Sequence, residues 1–207
     1  MSNNESPVYN EDEKGSVTKV ESQQKTILSY FHDLVFGLVG ILLVVVLLLR
    51  IVVVSGPSMR TTLQHGDCLI VLSNVVYRNP QYGDIIIASK DSFKDGEPII
   101  KRVIATEGQE VDIDFGSGIV YVDGVALDEP YTATPTTRPE GVAFPLVVAE
   151  GCVFVMGDNR NDSKDSRSPE IGLIDRREIL GKALFLVFPG KDSVTDKRQL
   201  NRIGVLD

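Results

Sequence analysis

Sixteen consecutive residues, Leu34–Leu49, carry no charge and are almost all Leu, Val, Ile, Phe or Gly. Arg50 interrupts the run and Ile51–Val54 resume it. As one helix, residues 34–54 would be roughly 31 Å long at about 1.5 Å rise per residue, which matches the hydrocarbon core of a bilayer. A helix buried in a protein core would carry a polar stripe, and this one has none. A cleaved secretory leader would have a shorter apolar region followed by a small-x-small exit, and neither feature is present. The run reads as a retained single-pass anchor, with Arg50 snorkelling to the interface near its end. Orientation stays open, because Lys19 and Lys25 on one side balance Arg50 and Arg60 on the other in the positive-inside count.

Residues 1–26 are rich in Asn, Ser, Glu and Lys, with too little apolar content to bury, and no regular structure is expected there. The organisation that follows is a polar tail over residues 1–30, an anchor over 31–54 and one further domain over 55–207. In that last part, period-two patterns and short apolar runs predict strands at Cys68–Leu72, Ile85–Ala88, Ile99–Ala105, Glu110–Ile113, Ile119–Val122, Val153–Met156 and Ala183–Phe188. Asn79-Pro80, Lys94-Asp95-Gly96 and Asp123-Gly124 are turn signals, and Gly116–Gly118 fits a hairpin. Residues 128–149, rich in Thr and Pro, read as an extended connection, and short turns are expected at Ser168–Glu170 and Asp175–Ile179. The fold class is mainly β behind one N-terminal transmembrane helix.

The net charge of -8 and a pI near 4.8 argue against nucleic acid as a partner, since neutralising phosphates takes clustered Lys and Arg. Cys68 and Cys152 lie in apolar surroundings outside any metal-binding spacing, and whether they are bonded stays open. No His/Cys/Asp/Glu cluster has ligand spacing, so neither a metal nor an organic cofactor is implied.

Four segments carry chemistry. Ser55-Gly56-Pro57-Ser58-Met59 follows the anchor, and alone it would be only a linker. Gly83-Asp84 opens an apolar strand. Ile99-Ile100-Lys101-Arg102-Val103-Ile104 puts two cations inside another, so that either Lys101 or Arg102 must face the apolar side. Arginine keeps its proton in a protein, whereas a desolvated lysine can lose it and serve as a general base. Finally, residues 157–167, GDNRNDSKDSR, pack polar groups into one loop after an apolar strand.

In this order, behind a membrane span, these segments resemble the conserved boxes of the bacterial type I signal peptidases, in particular the compact Gram-positive members. The similarity runs from the anchor to about Pro189. It implies a β catalytic domain shared with LexA-like proteases and a Ser/Lys dyad of Ser58 as nucleophile and Lys101 as base. It also implies that Ser163 orients the lysine, and that Arg102, Asp158, Asp165 and Arg167 hold the site by ion pairing, with Arg102 a partner for Asp158. Met59, Leu63 and Ile99 fall at positions resembling the substrate-pocket lining. The partners implied are the signal peptides of exported preproteins, membrane lipid and the protein-export machinery. The localisation implied is the bacterial cell membrane, with the N-terminus cytoplasmic and the catalytic domain outside. Three positions depart from the family pattern. Gly56 stands where some members have a serine that adds an oxyanion donor, Thr61 replaces a usual proline, and Thr106-Glu107-Gly108-Gln109 replaces a Leu-Pro-Gly-Asp turn.

Other readings fit less well. LexA-type self-cleaving repressors are soluble, and histidine-dependent signal peptidases would need a base that His32 and His65 are badly placed to supply. Neither cysteine has a His and an Arg set for sortase-like chemistry. An inactive peptide-binding module would have no reason to retain Ser58, Lys101 and Ser163 together.

Overall fold

The computed structural model of the chain describes residues 11–192 and 195–206, with side chains from Leu28 onward except that of Lys94. Helix α1 spans Glu11–Leu48. It starts within the segment for which no regular structure was expected; residues 1–10 lie outside the described residues. Glu, Lys and Gln are good helix formers, and extending an existing helix adds a hydrogen bond per residue without a second nucleation cost. Its stretch Leu28–Leu48 is long and apolar enough to cross a membrane, and none of it is buried. Such an unbroken apolar surface fits lipid as its solvent.

The helix ends before the apolar run does. Leu49–Val53 form strand β1, paired antiparallel with β2 (Cys68–Ser73) from Leu49 opposite Leu72 to Val53 opposite Cys68. The sequence reading carried the helix on to Val54, and the structure corrects it. The β-branched residues Ile51, Val52 and Val53 suit a pleated strand, and β2 supplies the backbone partners. Arg50 therefore sits exposed on β1 rather than at the end of a membrane helix.

The remaining strands are β3 (Ile85–Ala88), β4 (Ile99–Thr106), β5 (Glu110–Asp114), β6 (Ile119–Val122), β7 (Val125–Ala126), β8 (Leu146–Val147), β9 (Cys152–Met156), β10 (Ile174–Asp175), β11 (Ile179–Phe188) and β12 (Gly204–Val205). One sheet runs β1-β2-β11-β3-β4-β9-β10, with β12 on β11, and a smaller sheet runs β7-β6-β5-β8. Residues 116–118 close the β5–β6 hairpin as expected. The 128–149 connection is mostly irregular, but it contributes β8 to the small sheet, and β11 begins four residues earlier than its apolar pattern suggested. The turn that departs from the family pattern joins β4 to β5, and Gln109 Oε1 caps it by accepting from Thr106 N at 2.9 Å.

Strand β4 positions the chemistry. It lies between β3 and β9, and its residues from Lys101 to Ala105 are buried on both faces. In its register Lys101 faces Ile86, and Arg102 faces Met156 on β9. The loop that leaves β9 at Gly157 therefore starts beside Lys101.

Candidate active site

Ser58 sits in the turn after β1. Arg60 N donates to Pro57 O and Leu63 N to Met59 O, which coils the segment, while fully buried Met59 and Leu63 pin it to the core around Val54, Leu69 and Leu186. The β9 loop ties down the other side, with Asn159 N donating to Ser58 O at 3.0 Å and Asn159 Nδ2 to Pro57 O at 3.2 Å. Gly157 has no room for a side chain. A Cβ there would fall on Ser163 Oγ and within 2.5 Å of Ser58 O.

Lys101 Nζ lies 2.8 Å from Ser58 Oγ and also donates to Ile100 O at 2.9 Å. The side chain is almost wholly buried. Burial pushes its pKa down from 10.5 to about 8, against the pull of Asp165, Asp158 and Glu140. Among the described residues, no carboxylate hydrogen-bonds the amine. A lysine so held is neutral for an appreciable fraction of the time near neutral pH, and neutral lysine accepts a proton.

The next residue has the opposite environment. Arg102 donates to Asp158 through Nε and Nη2, at 3.0 and 2.9 Å, and to Gly83 O through Nη1 at 2.8 Å. The ring of Tyr131 packs 4.1 Å from its guanidinium carbon. Thr62 Oγ1 donates to Asp158 Oδ2, so the pair also fastens the Ser58 turn. Asp165 and Arg167 form a second buried bidentate pair, with both Nε–Oδ1 and Nη2–Oδ2 at 2.8 Å. Asp165 also accepts from Gly157 N at 3.0 Å, and Arg167 donates to Arg160 O at 2.7 Å. The loop is therefore held by its own charges, without a bond from either residue to Lys101.

Ser163 is buried beside Ser58 and Lys101, but its Oγ makes no hydrogen bond among the described residues. No hydrogen bond joins Ser163 to Lys101 in this structure. Met59 and Ile99 line a cleft of about 600 Å³ together with Ser58, Lys101, Ile87 and Val52. Leu63 does not line it. Its side chain is buried with Met59 in the core cluster around Val54 and Leu69.

Three residues that sequence reasoning passed over complete the frame. Glu129 grips the buried Arg160 at 2.7 Å through Nη1, Thr136 Oγ1 accepts from the same nitrogen at 3.0 Å, and Tyr131 covers Arg102. They come from the Thr- and Pro-rich connection, which carries no local pattern that points to the site. His65 is exposed and outside the cleft lining, and His32 lies on α1. Cys68 and Cys152 are both free. Among the described residues, no group of His, Cys, Asp or Glu is arranged to hold a metal.

Residues 27–188 match the family described as signal peptidase, peptidase S26. The chain belongs to the S26 signal peptidase family. It is 40% identical over 164 residues to a probable signal peptidase I-1 of Synechocystis, covering 73% of this chain and 80% of that protein. It is 31% identical over 179 residues to signal peptidase I of Bacillus licheniformis, covering 83% and 94%. Over 177 residues it is 31% identical to signal peptidase I S of Bacillus subtilis, covering 81% and 92%. Each alignment covers most of both proteins, and the family match takes in every strand from β1 to β11.

Proposed function

We propose that this protein is a signal peptidase I, a membrane-bound serine endopeptidase that removes signal peptides from exported preproteins through Ser58 and Lys101. The observation that carries this reading is the 2.8 Å separation of a buried lysine amine from a serine hydroxyl, with no carboxylate among the described residues bonded to that amine. Neutral Lys101 takes the Ser58 proton as Oγ attacks the scissile carbonyl carbon. Ser58 N–H, which donates to no acceptor among the described residues, is free to stabilise the oxyanion. The C–N bond then breaks, and Lys101 gives its proton to the leaving amine. Water attacks the acyl-enzyme, Lys101 takes its proton, and Ser58 leaves as the hydroxyl. Ser163, which lines the same cleft with a hydroxyl that has no partner among the described residues, orients the amine between these steps. The two buried ion pairs, Arg102–Asp158 and Asp165–Arg167, hold the loop on which this depends.

The cleft between residues 52–58 and 98–101 suits an extended peptide that adds main-chain bonds to a strand edge, with alternate side chains read for size. Met59 and Ile99 in its lining favour small apolar residues at those positions. In this reading residues 1–30 are cytoplasmic, α1 anchors the chain in lipid, and residues 55–207 work outside the bacterial cell membrane, where exported chains emerge from the export machinery. The test is to incubate the full chain, in detergent or lipid, with a preprotein carrying an Ala-x-Ala site and to sequence the new N-terminus. A single cut directly after the second Ala is expected. No cut by the folded protein, or cuts unrelated to that site, would sink the reading.

A further inference from the structure

Residues 137–142 strap across the β9 loop. Thr137 N and Arg138 N donate to Asn161 Oδ1, Arg167 Nη1 donates to Arg138 O, and Val142 N donates to Arg167 O. This strap carries Glu140 to the wall of the catalytic cleft. Glu140 differs from the cations around it. Arg138 is engaged by Asn161 O at 3.3 Å, Lys164 by Glu170 at 3.3 Å, and Lys101 by Ser58 and Ile100. The Glu140 carboxyl makes no hydrogen bond or ion pair among the described residues, and its Oε2 is shut off from solvent. The residue as a whole is only partly buried at the cleft wall, so its other oxygen is open to a donor that enters the cleft, and a carboxylate with no protein partner gains most from a charged one. Within an active cleft, the donor that comes and goes is the substrate.

We propose that Glu140 is a specificity-determining residue that accepts a substrate cation, the side chain of a Lys or Arg flanking the scissile bond. The proposal rests on the reading of Ser58 and Lys101 as the acylating pair. The carboxyl that would do this titrates late, since burial and Asp165 raise its pKa while Arg167, Lys164 and Arg138 lower it. The preference for a cation is therefore present once Glu140 is ionised and fades as pH falls through its titration.

The test uses the full chain and a series of preproteins with one Ala-x-Ala site, in which each residue flanking the cut is in turn Lys or Gln. Wild type should prefer Lys over Gln at one of these positions by about ten- to hundredfold in kcat/KM, the range of a charge-assisted hydrogen bond. Glu140→Gln should abolish that preference, and Glu140→Asp should retain part of it. Glu140 also acts on Lys101 through space. That effect is common to every substrate, so the Lys/Gln ratio isolates the contact. A flat ratio at every position in wild type, or a preference that Glu140→Gln keeps, would overturn the proposal. Cleavage of the all-Gln preprotein reports separately on the acylating pair, so the two failures are distinguishable.

Discussion

Lys101 and Arg102 leave strand β4 on opposite faces, and only Arg102 meets a carboxylate. Arg102 is clamped by both oxygens of Asp158, while the Lys101 amine touches a serine hydroxyl and a carbonyl. Strand alternation makes this division and chemistry exploits it, since arginine stays charged and needs an anion, whereas lysine can work uncharged.

Ser58→Ala and Lys101→Ala should each lower turnover by at least ~10⁴-fold, and the double variant should be little worse, because the two groups act as one unit. Lys101→Arg should be as inactive, since its guanidinium stays protonated. Retained circular dichroism would show that the loss is chemical.

Lys101→Met should be inactive and yet more stable than wild type at pH 7. The folded pKa of about 8 lies below the 10.5 of a free lysine, so folding disfavours the charged amine. That penalty is full below about 8 and disappears as pH rises past the unfolded value. The methionine variant removes it, for a gain of roughly 1–3 kcal/mol. Denaturant midpoints at pH 7 and at pH 10.5 measure this, and the gap between the two proteins should narrow at the higher pH.

Asp158→Ala should destabilise the β unit by about 3–5 kcal/mol, because it leaves the Arg102 charge buried without its anion. Replacing both partners with apolar residues should cost far less stability. It should still reduce turnover, because Thr62 loses its acceptor on Asp158 and the nucleophile turn is freed. Thermal melts of the single and paired variants separate the two effects.

Gly157→Ala should loosen the loop locally and reduce kcat by ~10²-fold or more, since a Cβ there displaces Ser163 and the Ser58 carbonyl from their packed positions. Steady-state kinetics on the Ala-x-Ala preprotein checks it.

Much of this site was legible because it is built from short, strongly constrained segments. A lysine and an arginine inside an apolar strand, and a run of ten polar residues after another, are local signals. What escaped the sequence depends on pairing. Nothing within residues 49–54 says that they will meet β2 and turn from helix to strand. Glu129 and Arg160 are 31 positions apart, and their contact needs the whole connection to be laid across the loop. The Thr106–Gln109 turn is capped by the Gln109 side chain, and none of its residues lines the cleft.

The most direct test of the account is the pH dependence of kcat/KM for the Ala-x-Ala preprotein between pH 5 and pH 10. If neutral Lys101 is the base, the rate climbs with pH through an apparent pKa of about 8 and then levels off. A rate that is flat across this range, or that already levels off below neutrality, would contradict the assignment of Lys101 as the group that activates Ser58.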